Sequence, residues 1–192
     1  VDPLPSDWCL GLAGDWQRRN AAVAHGALQA LHPLGWRLDE PTIRAGLAKA
    51  RWNGRLQTVT WQGHPLLLDG AHNPPAAQQL ALERQCWHGQ DKGVVWILGI
   101  QAHKQAVEML KLLLQPQDQG WIVPVADHHS WTRDALVQAE PQWGDQLRDA
   151  TTAEDALKRI RETSGWPQPI PVLAGSLYLI GDLLEQGLLQ AE

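Results

Sequence analysis

Four short polar clusters contain the residue types from which a binding site can be built: Asp69-Gly70-Ala71-His72-Asn73, Gly99-Ile100-Gln101-Ala102-His103-Lys104, Asp127-His128-His129 and Gly175-Ser176. Each follows an apolar run. A carboxylate such as Asp69 can accept hydrogen bonds from ribose hydroxyls. A Gly-Ser step that opens a helix offers backbone N–H groups to an anion. Every cluster also has a plainly structural reading. Asp69-Gly70 is good turn chemistry, Asn73-Pro74 is a good helix start, and Gly175-Ser176 is a common strand-to-helix joint. Asp127-His128-His129 has the residue types of metal ligands but no third ligand cluster, and reads as a solvated loop. Arg55, within Trp52-Asn53-Gly54-Arg55, is on local grounds a surface residue. Local chemistry alone arrives at a polar binding edge and stops there.

The elements that must position these clusters follow from periodicity. Asn20 is placed to cap a helix bearing Val23, Ala27, Leu28 and Leu31, which His32-Pro33 ends. Asp39 precedes a second helix with Pro41 in its first turn and Ile43, Leu47 and Ala50 at helical spacing. The pattern then changes. Residues 56–61 alternate as a strand, Gln62-Gly63-His64 turns, and 65–69 form a more buried strand. A helix from Asn73-Pro74 to about Cys86, a strand over 94–98, a helix over 104–114 and a strand over 121–125 come next. Helices near 132–140 and 151–162 follow, the latter opened by a Thr151…Glu154 capping box. A strand over 170–174 and a helix from Ser176 to Gln186, stopped by Gly187, complete the series. Buried strands joined by helical crossovers imply an α/β fold: a mainly parallel sheet with helices on both faces, plus one antiparallel strand from the opening hairpin. In such sheets ligands bind beyond the carboxyl ends of the strands, where all four clusters fall.

Composition narrows the function classes. A chain of 192 residues with 44% apolar and 19% charged residues can bury a core, as one domain or one domain plus a fragment. No apolar run is long enough to cross a bilayer, and the start shows no signal-peptide pattern. The first residue is Val1 and not Met, which fits a cut-out or processed piece. A net charge of −5 without a basic block gives no attraction for nucleic acid or anionic membranes. Cys9 and Cys86 lack metal-ligand spacing and read as reduced thiols of a cytoplasmic protein. The aromatic set is 11 Trp, one Tyr and no Phe, which carries no functional reading by itself.

Read as a string, Leu66-Leu67-Leu68-Asp69-Gly70-Ala71-His72-Asn73-Pro74 resembles the signature of the folylpolyglutamate synthase and dihydrofolate synthase family, Mur-type ATP-dependent ligases. Three more stretches match in order. Gly14-Asp15-Trp16-Gln17-Arg18-Arg19-Asn20-Ala21-Ala22 is similar to the family's Gly-x-x-Gln-x-x-Asn-Ala segment. Trp52-Asn53-Gly54-Arg55 resembles its Trp-Pro-Gly-Arg linker, and Gly175-Ser176-Leu177-Tyr178 its C-terminal Gly-Ser-Leu-Tyr element. The resemblance implies that residues 1–51 are the helical tail of the central ATPase domain and 52–192 a Rossmann-like C-terminal domain that contributes to the glutamate site. It further implies addition of L-glutamate to a folate through an acyl phosphate, in a cytoplasmic enzyme that is monomeric at full length. ATP is a substrate, and Mg2+ is held by ligands of the preceding domain. No Gly-x-x-Gly-Lys-Ser/Thr run occurs in the chain, so the P-loop is expected in that domain and the isolated chain is expected to be inactive.

By the same resemblance, Asn20 contacts the adenine side of ATP, Arg55 its phosphates and Asp69 the ribose hydroxyls, with His72 nearby. Ser176 and Lys104 fall on the glutamate side. No residue of this chain is assigned a catalytic or metal-binding role. Arg55 suits phosphate because its guanidinium fork stays charged and can bind two oxygens. Two departures stand out. His103-Lys104-Gln105 replaces the Asp-Lys-Asp of many members, removing both carboxylates, and Asn53 replaces the linker proline, freeing the hinge backbone. A stand-alone, catalytically inactive nucleotide-binding or regulatory module of the same family is the alternative. A peptidoglycan-precursor ligase of the same superfamily is a third, disfavoured by the Asp69–Pro74 string.

Overall fold

In the computed structural model, which describes residues 1–87 and 90–191, three apolar runs form the middle of a seven-stranded sheet. They are β2 (His64–Asp69), β3 (Val95–Leu98) and β6 (Val172–Ala174). Consecutive apolar residues suit strands covered on both faces, because each pleat then buries its side chain. β6 runs parallel to both neighbours, with Leu173 paired to Leu68 on one side and to Ile97 on the other. β4 (Gln119–Ile122) and β5 (Leu147–Asp149) extend the parallel set beyond β3. On the other flank, β1 (Gln57–Trp61) pairs antiparallel with β2 across a two-residue turn. Gln62 (φ 49°) and Gly63 (φ 80°) both take the left-handed conformation that matches strand twist in so tight a hairpin. β7 (Gln190–Ala191) closes the order β5-β4-β3-β6-β2-β1-β7 by pairing antiparallel with β1. β1 is therefore the one strand directed against the other six.

Helices cover both faces. Along the chain the helices are α1 (Trp16–Ala30) and α2 (Glu40–Lys49), ahead of the sheet in sequence, and α3 (Pro74–Glu83), α4 (Ala106–Leu113), α5 (Arg133–Ala139), α6 (Ala153–Ser164) and α7 (Leu177–Glu185), within the sheet's own unit. Leu66, Leu68, Ile97, Trp121 and Leu173 point to one side of the sheet, into a continuous core with Ala156, Leu157 and Ile160 of α6 and Leu179, Ile180 and Leu183 of α7. Trp96 points to the other side, where α3 and α4 pack on one another.

The chain divides into two units, Val1–Leu56 and Gln57–Glu192. The first unit holds α1, α2 and a small core of Leu4, Trp8, Ala21, Ala22 and Ile43. Two expectations are corrected there. Asn20 is not a helix cap, because α1 begins at Trp16 and places Asn20 inside the helix. The buried stripe of α1 is Gln17, Ala21 and Ala22, while Val23 is 57% exposed. Small alanines let the helix approach the bulky Trp8 and Ile43, which a Val at that position would hold off. Asp39 caps α2 as expected, its carboxylate accepting from Thr42 N at 2.9 Å.

Further boundaries shift for local reasons. α6 is capped by Thr152, whose Oγ1 accepts from Asp155 N at 3.0 Å. The Asp155 carboxylate reaches back to accept from Thr151 N at 3.0 Å, so the capping box sits one residue later than Thr151…Glu154. β4 stops at Ile122, short of Val125, since Pro124 has no N–H to give a ladder.

Across the α3–α4 face runs a buried ion pair. Arg84, in the turn that ends α3, donates to Asp118 from Nη1 at 2.5 Å and Nη2 at 2.7 Å, and both side chains are at most 1% exposed. Asp118 also accepts from Val94 N, Trp96 Nε1 and Gln115 N at 2.8, 3.1 and 2.9 Å. Asp118→Leu strands a buried guanidinium and those three donors, and should cost about 3–5 kcal/mol in urea unfolding. Arg84→Met should cost less, because the carboxylate keeps its three N–H partners. Asp155 gives a milder, pH-linked effect. The N–H of Thr151, helped by Arg159, holds its carboxyl below the ordinary 3.8. Stabilisation from Asp155 is therefore full above the unfolded value and lost as pH falls through the folded one. The melting-temperature gap between wild type and Asp155→Asn should accordingly close on acidification from pH ~6 to ~3.

Candidate functional site

Because β2, β3, β4 and β6 are parallel, the loops leaving them emerge on one edge of the sheet. Two glycines let these strand ends meet. Gly175 has φ 105°, and a Cβ there would lie 2.6 Å from Gly99 O. A Cβ on Gly99 would lie 2.6 Å from Leu179 Cδ2 of α7, and Gly99 N donates to Ala174 O at 3.2 Å. Any side chain at Gly175 would push the exits of β3 and β6 apart.

Each cluster is then fixed by its own backbone. Asp69 is buried, and its carboxylate accepts from Ala71 N at 2.9 Å, which shapes the turn leaving β2. His72 Nδ1 lies 2.7 Å from Gly70 O. A carbonyl cannot donate, so Nδ1 carries a proton, and whenever the ring is neutral Nε2 is an acceptor. Asn73 caps α3, accepting from Ala76 N at 3.0 Å. Ser176 caps α7, its Oγ accepting from Tyr178 N and Leu179 N at 3.2 and 3.4 Å. With its lone pairs so engaged, the hydroxyl retains its O–H as a donor beside the positive end of α7.

The loop after β4 clamps the loop after β3. Ala102 N donates to His129 O at 2.8 Å, Trp131 N to Ile100 O at 2.9 Å, and Trp131 Nε1 to Lys104 O at 3.0 Å. Asp127 takes φ 59°, and the His128 ring stands 4.7 Å from that of Tyr178. Among the described residues, no group of three or more His, Cys, Asp or Glu side chains is arranged to hold a metal ion.

His72, Lys104 and Ser176 line one cavity of about 130 Å3, together with Gln101, Gly175, Leu177 and Tyr178. Asp69 lies on the same edge, in the turn below His72, outside that lining. Asn20 and Arg55 belong to the first unit. Asn20 Nδ2 donates to Gln17 Oε1 at 2.9 Å, and its side chain borders a largely apolar cavity of about 190 Å3 with Leu10, Leu12, Ala21, Ala24 and Leu47. Arg55 is half-buried, with Nη1 3.5 Å from Gly54 O. The structure thus joins three of the six sequence-chosen residues in one pocket. It also adds two that residue reading did not single out. Tyr178 is reached because it sits in the first turn of the helix that Ser176 caps, and Gln101 was visible only as one polar residue in a loop.

Residues 53–186 match the family model described as the C-terminal domain of dihydrofolate synthetase. Folylpolyglutamate synthase of Lacticaseibacillus casei is 32% identical over 91% of this chain and 39% of its own length. The dihydrofolate synthase/folylpolyglutamate synthase of Bacillus subtilis is 28% identical over 90% of this chain and 39% of its own. Mycobacterium tuberculosis folylpolyglutamate synthase, solved with ADP, superposes with a TM-score of 0.75 at 25% identity, covering 94% of this chain and 42% of that one. E. coli FolC, solved with DHPP and ADP, gives a TM-score of 0.68 at 25% identity over 87% and 38%. The chain spans about two fifths of the length of these relatives. With the Asp69–Pro74 turn and the Ser176 cap seated on the carboxyl edge of a matching fold, the chain belongs to the folylpolyglutamate synthase/dihydrofolate synthase family.

Proposed function

We propose that this chain is the C-terminal part of an ATP-dependent ligase that joins L-glutamate to a folate, either dihydropteroate or a tetrahydrofolate. The observation that carries the reading is the convergence of His72, Lys104 and Ser176, from three separate strand ends, in one small cavity of a chain from this family. Relatives with this fold have been solved with ADP, which supports a nucleotide on the same enzyme.

In the first step a folate carboxylate oxygen attacks the γ-phosphorus of ATP and ADP leaves, giving an acyl phosphate. In the second, the glutamate amine attacks the carbonyl carbon, inorganic phosphate leaves and a proton is lost. Positioning and electrostatics dominate both. Asp69, at the carboxyl end of β2, accepts from the ribose hydroxyls. Asn20 presents an amide at the rim of an apolar cavity, a setting suited to a purine, and Arg55 pairs with phosphate oxygens. Lys104, the Ser176 O–H and the N-terminus of α7 together favour a carboxylate of glutamate. His72 faces that same cavity, so we place it on the glutamate side, where Nε2 accepts from the incoming ammonium group. By the family resemblance, Mg2+ belongs with the P-loop domain of the full ligase.

Incubated with ATP, Mg2+, dihydropteroate or tetrahydrofolate, and L-glutamate, the 192-residue chain alone should release no ADP. Fused behind the P-loop domain of the L. casei relative, it should release ADP in proportion to added glutamate. In that fusion, Asp69→Ala should raise KM for ATP roughly 10- to 100-fold, the worth of hydrogen bonds to a charged group. Lys104→Ala should raise KM for glutamate and leave that for ATP near wild type. Turnover by the chain alone, or a folded fusion without glutamate-dependent turnover, would overturn the assignment.

A further inference from the structure

The cavity at the strand ends contains a polar side chain that neither the fold nor the reaction above employs. Gln101, in the loop leaving β3, is 7% exposed and lines the cavity beside His72, Lys104, Ser176 and Tyr178. Its backbone is engaged, the carbonyl accepting from Lys104 N at 2.9 Å and the residue bridging to Ser130. Its side-chain amide has no hydrogen-bond partner among the described residues. The other buried Gln, Asp, Arg and Ser side chains all do. Gln17 accepts from Asn20, Asp69 from Ala71 N and Ser176 from the first turn of α7, while Arg84 and Asp118 hold each other. Natural structures pair their buried amides, because one removed from water and left unpartnered costs stability. Gln101 is the exception among these six side chains; its amide is not among the groups sealed from solvent, and the cavity it lines is where a ligand can meet it.

The neighbouring groups specify the kind of ligand. Lys104 brings a positive charge, the Ser176 hydroxyl an O–H donor, and α7 its positive end. These three favour an anion, and a planar amide adds two further N–H donors. We propose that Gln101 is a ligand-binding residue whose Nε2–H donates to a carboxylate of an amino dicarboxylic acid held between Lys104 and the N-terminus of α7. This rests on the reading of the pocket as the glutamate side of the ligase. It assigns a contact to a residue that the family-type motifs in this sequence do not include.

The test is a titration of the 15N-labelled 192-residue chain with L-glutamate, followed by NMR. The backbone amides of Ser176, Tyr178 and Leu179 report on the pocket, and the Gln101 side-chain NH2 pair reports on the proposed contact. All should shift along one saturation curve. Gln101→Leu, which fills the same space without a donor, should raise Kd roughly tenfold while leaving the melting temperature unchanged or higher. Gln101→Glu, nearly isosteric but anionic, should weaken binding further at neutral pH. A structural role for the amide would not produce that order. If Gln101→Leu or Gln101→Glu binds L-glutamate as tightly as wild type, the proposed contact is wrong and the glutamate pocket stands. If L-glutamate shifts none of these signals in the wild-type chain, the pocket reading and the contact fall together.

Discussion

Asp118 is the point to which the second unit is tied. One carboxylate receives the guanidinium of Arg84, the indole N–H of Trp96 and the backbone N–H groups of Val94 and Gln115. It thereby links the end of α3, the entry to β3, the exit of α4 and the entry to β4. Removing two charges from water carries a large desolvation cost, and such a pair is often no more stabilising than well-packed apolar residues. Its effect here is geometric. Asp118 can satisfy five donors only in one arrangement, so the depth of β3 relative to β4 and the α3 end is fixed. The opposite ends of the same elements carry the pocket: His72 precedes α3, and Gln101 and Lys104 follow β3. A slip of one residue at the buried pair would move each pocket group by a full pleat.

At the pocket end, the governing constraint is close backbone approach. Gly99 and Gly175 allow two strand exits and α7 to meet with no Cβ between them. The helix end is thus aimed into the space between those strands. Ser176 spends its lone pairs on the cap, and His72 spends its Nδ1 proton on Gly70 O. What remains for a ligand is set by that spending: an O–H from Ser176, an acceptor at His72 Nε2 and a cation at Lys104. The fold's own hydrogen bonds decide the chemistry that the site presents outward.

Much of this was legible in the sequence because it is local. Continuous apolar runs gave the buried strands, the Gln62-Gly63 pair gave the hairpin, and Asp39, Asn73 and Ser176 are all caps readable from the next three residues. Other features depend on information that the local pattern lacks. β5 is a three-residue edge strand with Arg148 and Asp149 exposed, and β7 has two residues, so neither shows alternation. The pairing of Arg84 with Asp118 spans 34 residues, and nothing around either predicts the other. Asn20 was misread as a cap because an Asn ahead of an apolar stripe looks the same whether the helix starts there or one turn earlier. Gln101 lay within a strand-end cluster, but its burial is a tertiary property set by the β4 loop folding over it.

The tryptophan-rich, phenylalanine-free composition is also partly explained by hydrogen bonding. Trp96 Nε1 donates to Asp118, Trp131 Nε1 to Lys104 O and Trp166 Nε1 to Pro65 O at 2.6 Å. At these three positions Phe would fill much of the volume but lose the N–H donor. Trp131 matters most to the pocket, since its bond holds the peptide that carries Lys104. Trp61 and Trp121 are different. Both indole N–H groups are buried without a partner among the described residues. Their retention is offset by ring contacts: Trp61 stacks on Trp166 at 6.0 Å and carries the Arg161 guanidinium at 5.1 Å, while Arg159 lies 5.9 Å over Trp121. Indole gives a cation–π partner a stronger face than benzene does. These five tryptophans therefore fall into a donor set and a face set. Only the donor set binds the strand-end loops to the sheet, and the face set belongs to the core beneath α6.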